Sequence, residues 1–392
     1  MNLLGLGSAA CVEQRRIIRV QIIQPLIPAY RVPLFQKLAE HSDLRVKVCA
    51  SRTISGRKNI SSVEREDEYA DLGHPCIGFL GNRFLWQRKL KLDPVMGKGD
   101  VIVFCGNLRF LSNIPLFVEA KKRKVGIVWW GHGFSKRRNP FKDAMGRLVM
   151  RFIDVRLLYT DKEIEEYKCK GFPESKLFAA NNAIDQQPIN EATKAWTGEK
   201  LKAFKEREKI GGKEILLFCG RRVDSVSLND VFAALAQLSK TNDKYLFVII
   251  GPDNSGGILG EKAKRLGVND RIRWLGPMYD QHDLAPWFLS ARCFVFPGAI
   301  GLSLLHAFSY GLPVIVPDCT HNPEISAFRD RENGLFYKDG EVEDLAKKIS
   351  EIVDHPEYQC HMSEKALKTV EKGYSMDSMV KRCVTAIRAA SQ

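Results

Sequence analysis

Residues 296–313 read FPGAIGLSLLHAFSYGLP and follow the apolar run Arg292-Cys293-Phe294-Val295. The run has the composition of a buried strand. Gly298, Gly301 and Gly311 then bracket an apolar helix pattern, in which Leu302, Leu305, Ala307 and Phe308 recur at helical spacing with His306 among them. A strand, a glycine-rich turn and a helix start together form an anion site. The first amides of a helix lack partners inside it, and its dipole favours negative charge. A tight bend alone also accounts for glycines in such a turn, so the meaning of the stretch depends on its companions.

Those companions are a nearly unbroken alternation of strand-like and helical runs. Strands are expected at 17–24, 44–50, 101–105, 125–130, 155–159 and 176–180, with helical patterns at 32–40, 115–122, 141–152 and 161–170. After a charged, helix-rich stretch at 191–209, strands are expected again at 214–219, 245–251, 272–275, 293–296 and 313–316, with a helix at 228–238. The tail reads as three helices, at 342–355, 357–372 and 376–390. Apolar strands alternating with helices mean parallel sheets covered on both faces, here two doubly wound α/β domains joined near 186–212. Ligands of such sheets bind beyond the carboxyl ends of the strands.

At 392 residues, 45% hydrophobic and 27% charged, the chain has the make-up of two ordinary globular domains. No apolar run approaches the length of a membrane-spanning helix. The first residues, Leu3 to Cys11, lack a basic flank and read as a loose tail, not a signal peptide. The ten cysteines form no Cys-x-x-Cys pair, which favours a reducing compartment and argues against a disulfide framework or structural zinc.

Charge is uneven along the chain. Residues 1–190 hold 32 Lys and Arg against 19 Asp and Glu, whereas 191–392 hold 28 against 27. Nearly all of the net +14 therefore lies in the first half, with clusters at 88–91, 121–124 and Lys136-Arg137-Arg138. A solvated face is one reading, and an anionic membrane surface or phosphate-bearing acceptor the other. Nucleic acid is disfavoured, because no recognition motif or aromatic stacking platform accompanies the charge. Residues 79–92, with Trp86, Arg88 and Lys89, mix aromatic and basic side chains as interfacial segments do.

Five strand-end segments stand out in order. They are Trp130-Gly131-His132-Gly133; Asn181-Asn182-Ala183-Ile184-Asp185; Cys219-Gly220-Arg221-Arg222; Gly251-Pro252-Asp253 with Trp274-Leu275-Gly276-Pro277-Met278; and the opening stretch with His321-Asn322-Pro323-Glu324 and Asn333-Gly334-Leu335-Phe336. Arginine at 221 or 222 suits bidentate binding of a diphosphate, or is simply a surface pair.

This order of segments resembles the nucleotide-sugar domain of GT-B glycosyltransferases of the retaining group 1 class, also called family 4. The match is specific over 176–355 and weaker before it, where Tyr30-Arg31-Val32-Pro33 and His132 carry it. The resemblance implies two Rossmann-like domains facing an interdomain cleft: 1–190 for the acceptor, 191–375 for the nucleotide sugar, and a helix at 376–392 returning to the first domain. It implies that Gly220, Arg221, Arg222 and the Ala299, Ile300, Gly301 and Leu302 amides hold the donor diphosphate. Gly298, His306, Pro277, Met278, Glu324 and Asn182 would meet the donor sugar and nucleotide, and His132 would act catalytically. Arg31, Trp86, Arg88, Lys89, Lys136, Arg137 and Arg138 would lie on the acceptor or membrane side.

Three family positions differ. The two glutamates expected eight residues apart are Gly298 and His306; the lysine expected after Arg221 falls at or near Val226, no lysine occurs before Lys240, and the resemblance leaves Arg222 as its substitute. No Asp-x-Asp occurs, so no metal and no resident cofactor is expected. The implied activity is retaining transfer of a sugar from a nucleoside diphosphate sugar to a saccharide, lipid-linked acceptor. This places the protein at the cytoplasmic face of a bacterial membrane in surface polysaccharide assembly, without nucleic-acid partners. The missing glutamates keep open a catalytically idle nucleotide- or glycan-binding relative, and the shared architecture keeps open a sugar-nucleotide epimerase.

Overall fold

The computed structural model describes residues 16–54, 61–63, 68–131, 147–148, 150–221, 226–240, 242–252 and 257–392. The expected N-terminal tail and the first part of the helix expected at 141–152 lie outside them. The described chain packs into two compact units. One is drawn from within Met1–Gly131, Ser135–Arg156 and Val384–Gln392, the other chiefly from Leu157–Cys383.

The first sheet is formed by β1 (Ile18–Ile23), β2 (Leu44–Cys49), β3 (Ala70–Asp71), β6 (Val101–Cys105), β7 (Gly126–Trp130), β8 (Val155–Leu158) and β9 (Leu177–Ala179), in the order β3-β2-β1-β6-β7-β8-β9. A separate antiparallel hairpin joins β4 (Cys76–Phe79) to β5 (Phe84–Gln87). The second sheet is formed by β10 (Glu214–Cys219), β11 (Tyr245–Ile250), β12 (Ile272–Gly276), β13 (Ala291–Val295), β14 (Val314–Pro317) and β15 (Gly334–Tyr337), in the order β12-β11-β10-β13-β14-β15. Its strand pairs are parallel throughout.

Continuous apolar runs explain the strands. All six residues of β11 are buried, as a strand covered on both faces requires. Its Phe247 joins Phe218, Phe232, Phe288, Phe294 and Phe308 in one core. The helix Val342–Val353 buries Leu345, Ala346, Ile349, Ile352 and Val353, an i, i+4, i+7 stripe laid on that sheet. Helix starts follow local chemistry. Thr160 and Glu163 form a reciprocal capping box that opens the helix Asp161–Lys168. Asp280 accepts from the His282 amide at 2.7 Å to open the helix Gln281–Ser290.

The strands expected from the sequence are present. Short β3 and the hairpin were not expected, because two to four residues give no readable periodicity. Residues 334–337, quoted above only as a motif, are the edge strand β15.

The end of the terminal helix Met376–Ala390 belongs to the first unit. There Arg388 pairs with Asp43, and the Ala390 carbonyl lies against Gly126 of β7. A methyl at Gly126 would collide with that carbonyl, whereas one at Gly198 would meet nothing within 4 Å. Gly126→Ala is therefore expected to lower the unfolding temperature by several degrees, on the scale of a core overpacking of about 1–3 kcal/mol. Gly198→Ala, measured alongside by scanning calorimetry, should leave it unchanged or slightly raised.

Candidate functional site

In the second sheet β10 and β13 are neighbours, yet the chain leaves β10 for β11 on one side and β13 for β14 on the other. Right-handed crossovers then place the helices Leu228–Leu238 and Leu302–Ser309 on opposite faces, which leaves a crevice at the carboxyl ends of β10 and β13. Three glycines let backbones meet there. The Gly220 amide donates to the Ile250 carbonyl at 3.0 Å, and the Gly251 amide to the Gly276 carbonyl at 2.8 Å. Gly251 has φ of +149°, and any side chain on it would strike the Gly220 carbonyl.

The loop after β13 is held from both sides. The Ser227 amide donates to the Pro297 carbonyl at 2.7 Å, and Val226 bridges to Gly298. His321 is buried and accepts from the Ile300 amide through Nδ1 at 3.2 Å, while its Nε2 lies 2.8 Å from the Pro317 carbonyl. These partners assign the neutral imidazole with the proton on Nε2. Removing the ring would leave a buried amide and a carbonyl unpaired, at roughly 1–3 kcal/mol each. Asn322 Nδ2 donates to the carbonyls of Ala299 and Ile300 at 3.3 and 3.1 Å.

This bracing takes up two of the loop's amides. The Gly298 amide already donates to the Phe296 carbonyl at 2.9 Å, and the Ile300 amide is taken by His321. Among the described residues, the helix-opening amides of Gly301, Leu302 and Ser303 have no protein acceptor. The Ser303 hydroxyl lies beside Gly220, about where a methyl on that glycine would come within 3.6 Å of it. The amides left without a protein acceptor are thus fewer than the sequence indicates, and at the helix start, among the described residues, they are those of 301–303.

His306 also stands differently from the reading that sets it against a ribose. Its Nε2 is 3.0 Å from Gln281 Oε1, which also accepts from the Tyr310 hydroxyl at 2.9 Å. The ring packs on Phe288 and Tyr310, with centroids 4.6 and 5.6 Å away. Burial pushes the His306 imidazole down to about 4, so the ring is neutral at pH 7.

Asn182 and Glu324, distant in sequence, meet in this unit. Asn182 Nδ2 donates to Glu324 Oε1 at 2.8 Å, and both side chains are buried. Pro277 is exposed and Met278 half-buried against the core. Arg221 is exposed at the mouth of the β10 loop. Arg222, His132, Lys136, Arg137 and Arg138 lie outside the described residues.

Among the described residues, the candidates in the first unit differ in exposure. Arg31 is buried, with its guanidinium over the Trp130 ring at 4.2 Å, where β7 ends. Trp86 is 37% exposed on β5, and Arg88 and Lys89 follow it exposed. The hairpin carries Phe79 at 47% and Leu80 at 77% exposure, beside exposed Arg83.

The braces His321, Asn322 and Gln281 were not among the site residues named from the sequence. His321-Asn322 preceding Pro323-Glu324 was the available signal, but nothing local shows that a side chain reaches a loop 21 residues away.

Residues 199–369 match the family model described as Glycosyl transferases group 1. The chain is 26% identical over 168 residues to the lipopolysaccharide core biosynthesis glycosyltransferase LpsE of Rhizobium meliloti, covering 42% of this chain and 47% of that protein. It thus spans about half the length of that relative. It is 22% identical over 287 residues to the alpha-D-kanosaminyltransferase of Streptomyces kanamyceticus, covering 72% of each. Anabaena Alr3699/HepE, solved in complex with UDP, has the same fold, with a TM-score of 0.69 and 13% identity over 94% of this chain and 99% of that one. Two parallel sheets with GT-B architecture are therefore the fold of this chain.

The depressed His306 has a consequence for stability. The unfolded chain binds this proton below the ordinary value of 6.5 and the native protein only near 4, so stability is complete above pH 6.5 and falls as pH drops towards 4. Between pH 7 and pH 5 the native state should lose on the order of 2 kcal/mol through this group. In denaturant unfolding, His306→Gln should be less pH-sensitive than the parent by that amount. Equal pH sensitivity would show a solvated ring.

Proposed function

We propose, from the match of residues 199–369 to the group 1 glycosyl transferase model, that the chain transfers a sugar from a nucleoside diphosphate sugar to a saccharide acceptor, with retention at the anomeric carbon. The observation that carries this reading is the open start of the helix Leu302–Ser309 at the switch point of the second sheet. Free amides at 301–303 suit a diphosphate there, with Arg221 at the mouth adding charge. Uridine diphosphate is the first nucleotide to test, since HepE holds it on the same fold.

In the proposed reaction the acceptor hydroxyl attacks the anomeric carbon from the leaving-group face. The bond from that carbon to the diphosphate breaks, and a phosphate oxygen takes the hydroxyl proton. The amides at 301–303, with Arg221 and Arg222, stabilise the charge that develops on the diphosphate. A single such donor is typically worth about 2.7–4 kcal/mol of barrier. His132 orients the donor sugar. The absence of an Asp-x-Asp sequence supports diphosphate binding without a metal.

One observation favours the idle relative instead. The family's two carboxylates are absent, and His306 is occupied by Gln281, so neither position offers charge to a sugar or ribose. Thermal unfolding with UDP, GDP, ADP, CMP and dTDP, each without metal, separates the readings. Ligand at about 100 times its dissociation constant adds about 2.7 kcal/mol to the native state. A rise with one nucleotide, lost in Arg221→Ala, identifies the donor. Product analysis with the matching sugar nucleotide then distinguishes transfer from binding alone. No rise with any nucleotide would sink the transferase reading.

The acceptor is proposed to be lipid-linked, in surface polysaccharide assembly at the inner face of a bacterial membrane. The kinship with LpsE and the basic first half support this. The β4–β5 hairpin offers the contact, with Phe79 and Leu80 at its tip and Arg83, Arg88 and Lys89 beside them. Each basic residue near an anionic surface is worth about 1 kcal/mol. The protein should therefore sediment with anionic vesicles at low salt but not with neutral ones, and Leu80→Glu should weaken binding at least tenfold. Equal recovery on neutral vesicles would overturn the proposal.

A further inference from the structure

We propose that Cys49, Asp71 and His74 of the first unit form a binding site for one divalent cation of borderline softness, zinc in the first instance. Their ligand atoms, one sulfur, one carboxylate oxygen and one ring nitrogen, all lie within 4.8 Å of one another. Backbone pairing brings them together. Cys49 ends β2, Asp71 ends β3, and the two residues are direct partners in the parallel register. The Gly73 amide donates to Asp71 Oδ1 at 3.0 Å, closing a turn that returns the chain at His74. The Ser51 hydroxyl then holds the His74 carbonyl at 2.5 Å.

The independent sign of a ligand is the histidine itself. His74 is only 8% exposed, and neither ring nitrogen makes a hydrogen bond among the described residues. Nε2 points towards Asp71 Oδ2 at 3.4 Å. A buried imidazole without hydrogen bonds is costly unless something else satisfies it. Thiolate, imidazole and carboxylate are zinc's ligand set, and three of them leave a fourth position for water.

The surroundings fit a held ion. Gln21 Nε2 lies 3.5 Å from Cys49 Sγ and would keep donating to the thiolate. Lys47 Nζ lies 3.2 Å from Asp71 Oδ2, so the ion competes with an exposed lysine for one oxygen. On binding, the thiol proton leaves to solvent and a metal–sulfur bond forms. The site lies in the first unit, apart from the residues at 296–324, so it stands independently of the activity proposed above. Its role is to clamp the end of β3 and the turn at His74 onto β2.

Metal content and cobalt spectroscopy of the full chain test the proposal. Protein stripped with chelator, reloaded with zinc and desalted should retain one zinc per chain. Cobalt(II) should give a thiolate-to-metal charge-transfer band with the visible bands of four-coordination. Cys49→Ser should abolish the charge-transfer band. His74→Asn should keep it while weakening metal binding at least tenfold, and Cys169→Ser, at an exposed cysteine, should behave as the parent. Circular dichroism confirms that each variant is folded. Retention of well under one zinc per chain, or a band that survives Cys49→Ser, would overturn the assignment. The nucleotide-induced rise in unfolding temperature should be unchanged in His74→Asn.

Discussion

The site rests on one topological constraint: β10 and β13 lie side by side while the chain departs from them in opposite directions. Parallel strands need crossovers, and crossovers of one hand put successive helices on opposite faces once the winding direction changes. Helices on opposite faces leave a gap between them at those two strand ends. The geometry of the second sheet's strand-end loops follows from that gap. The glycines at 220 and 251 let strand ends approach, and the loop after β13 enters the helix Leu302–Ser309 above them.

A bare gap is not yet a site, because a glycine loop left to itself samples many conformations. Here the loop is pinned by side chains from the next strand end. His321 accepts from one amide and donates a hydrogen bond to the Pro317 carbonyl, and Asn322 donates to two carbonyls. The bracing uses up some donors that the loop would otherwise offer, and it aims the remaining ones. Preorganised amides that need not reorient are the kind of group that stabilises developing negative charge most effectively. His306 is part of the wall of this loop through Gln281, Phe288 and Tyr310.

The two halves of the chain differ in how their charge is used. In the first half Arg31 is drawn inside onto Trp130, whereas Arg88 and Lys89 stay in solvent near the apolar hairpin tip. One buried cation and several exposed ones do different work. The buried one has a fixed position over the Trp130 ring. The exposed ones act as a diffuse field that salt screens.

The sequence by itself determined the alternation of buried strands and helices, hence two parallel sheets, and it located the strand-end segments around 220, 251, 276, 298 and 324. These are local properties: apolar runs, glycine where backbones meet, helix starts. Only the tertiary structure decided which groups face one another. His321 reaches Ile300, Gln281 captures His306, Asn182 meets Glu324 across 142 positions, and Cys49, Asp71 and His74 converge without any metal-like spacing in the chain. The physical reason is that strand and helix preference is written in residues a few places apart. Hydrogen bonds and ligand sets are written in register and crossover geometry, which a linear pattern does not carry.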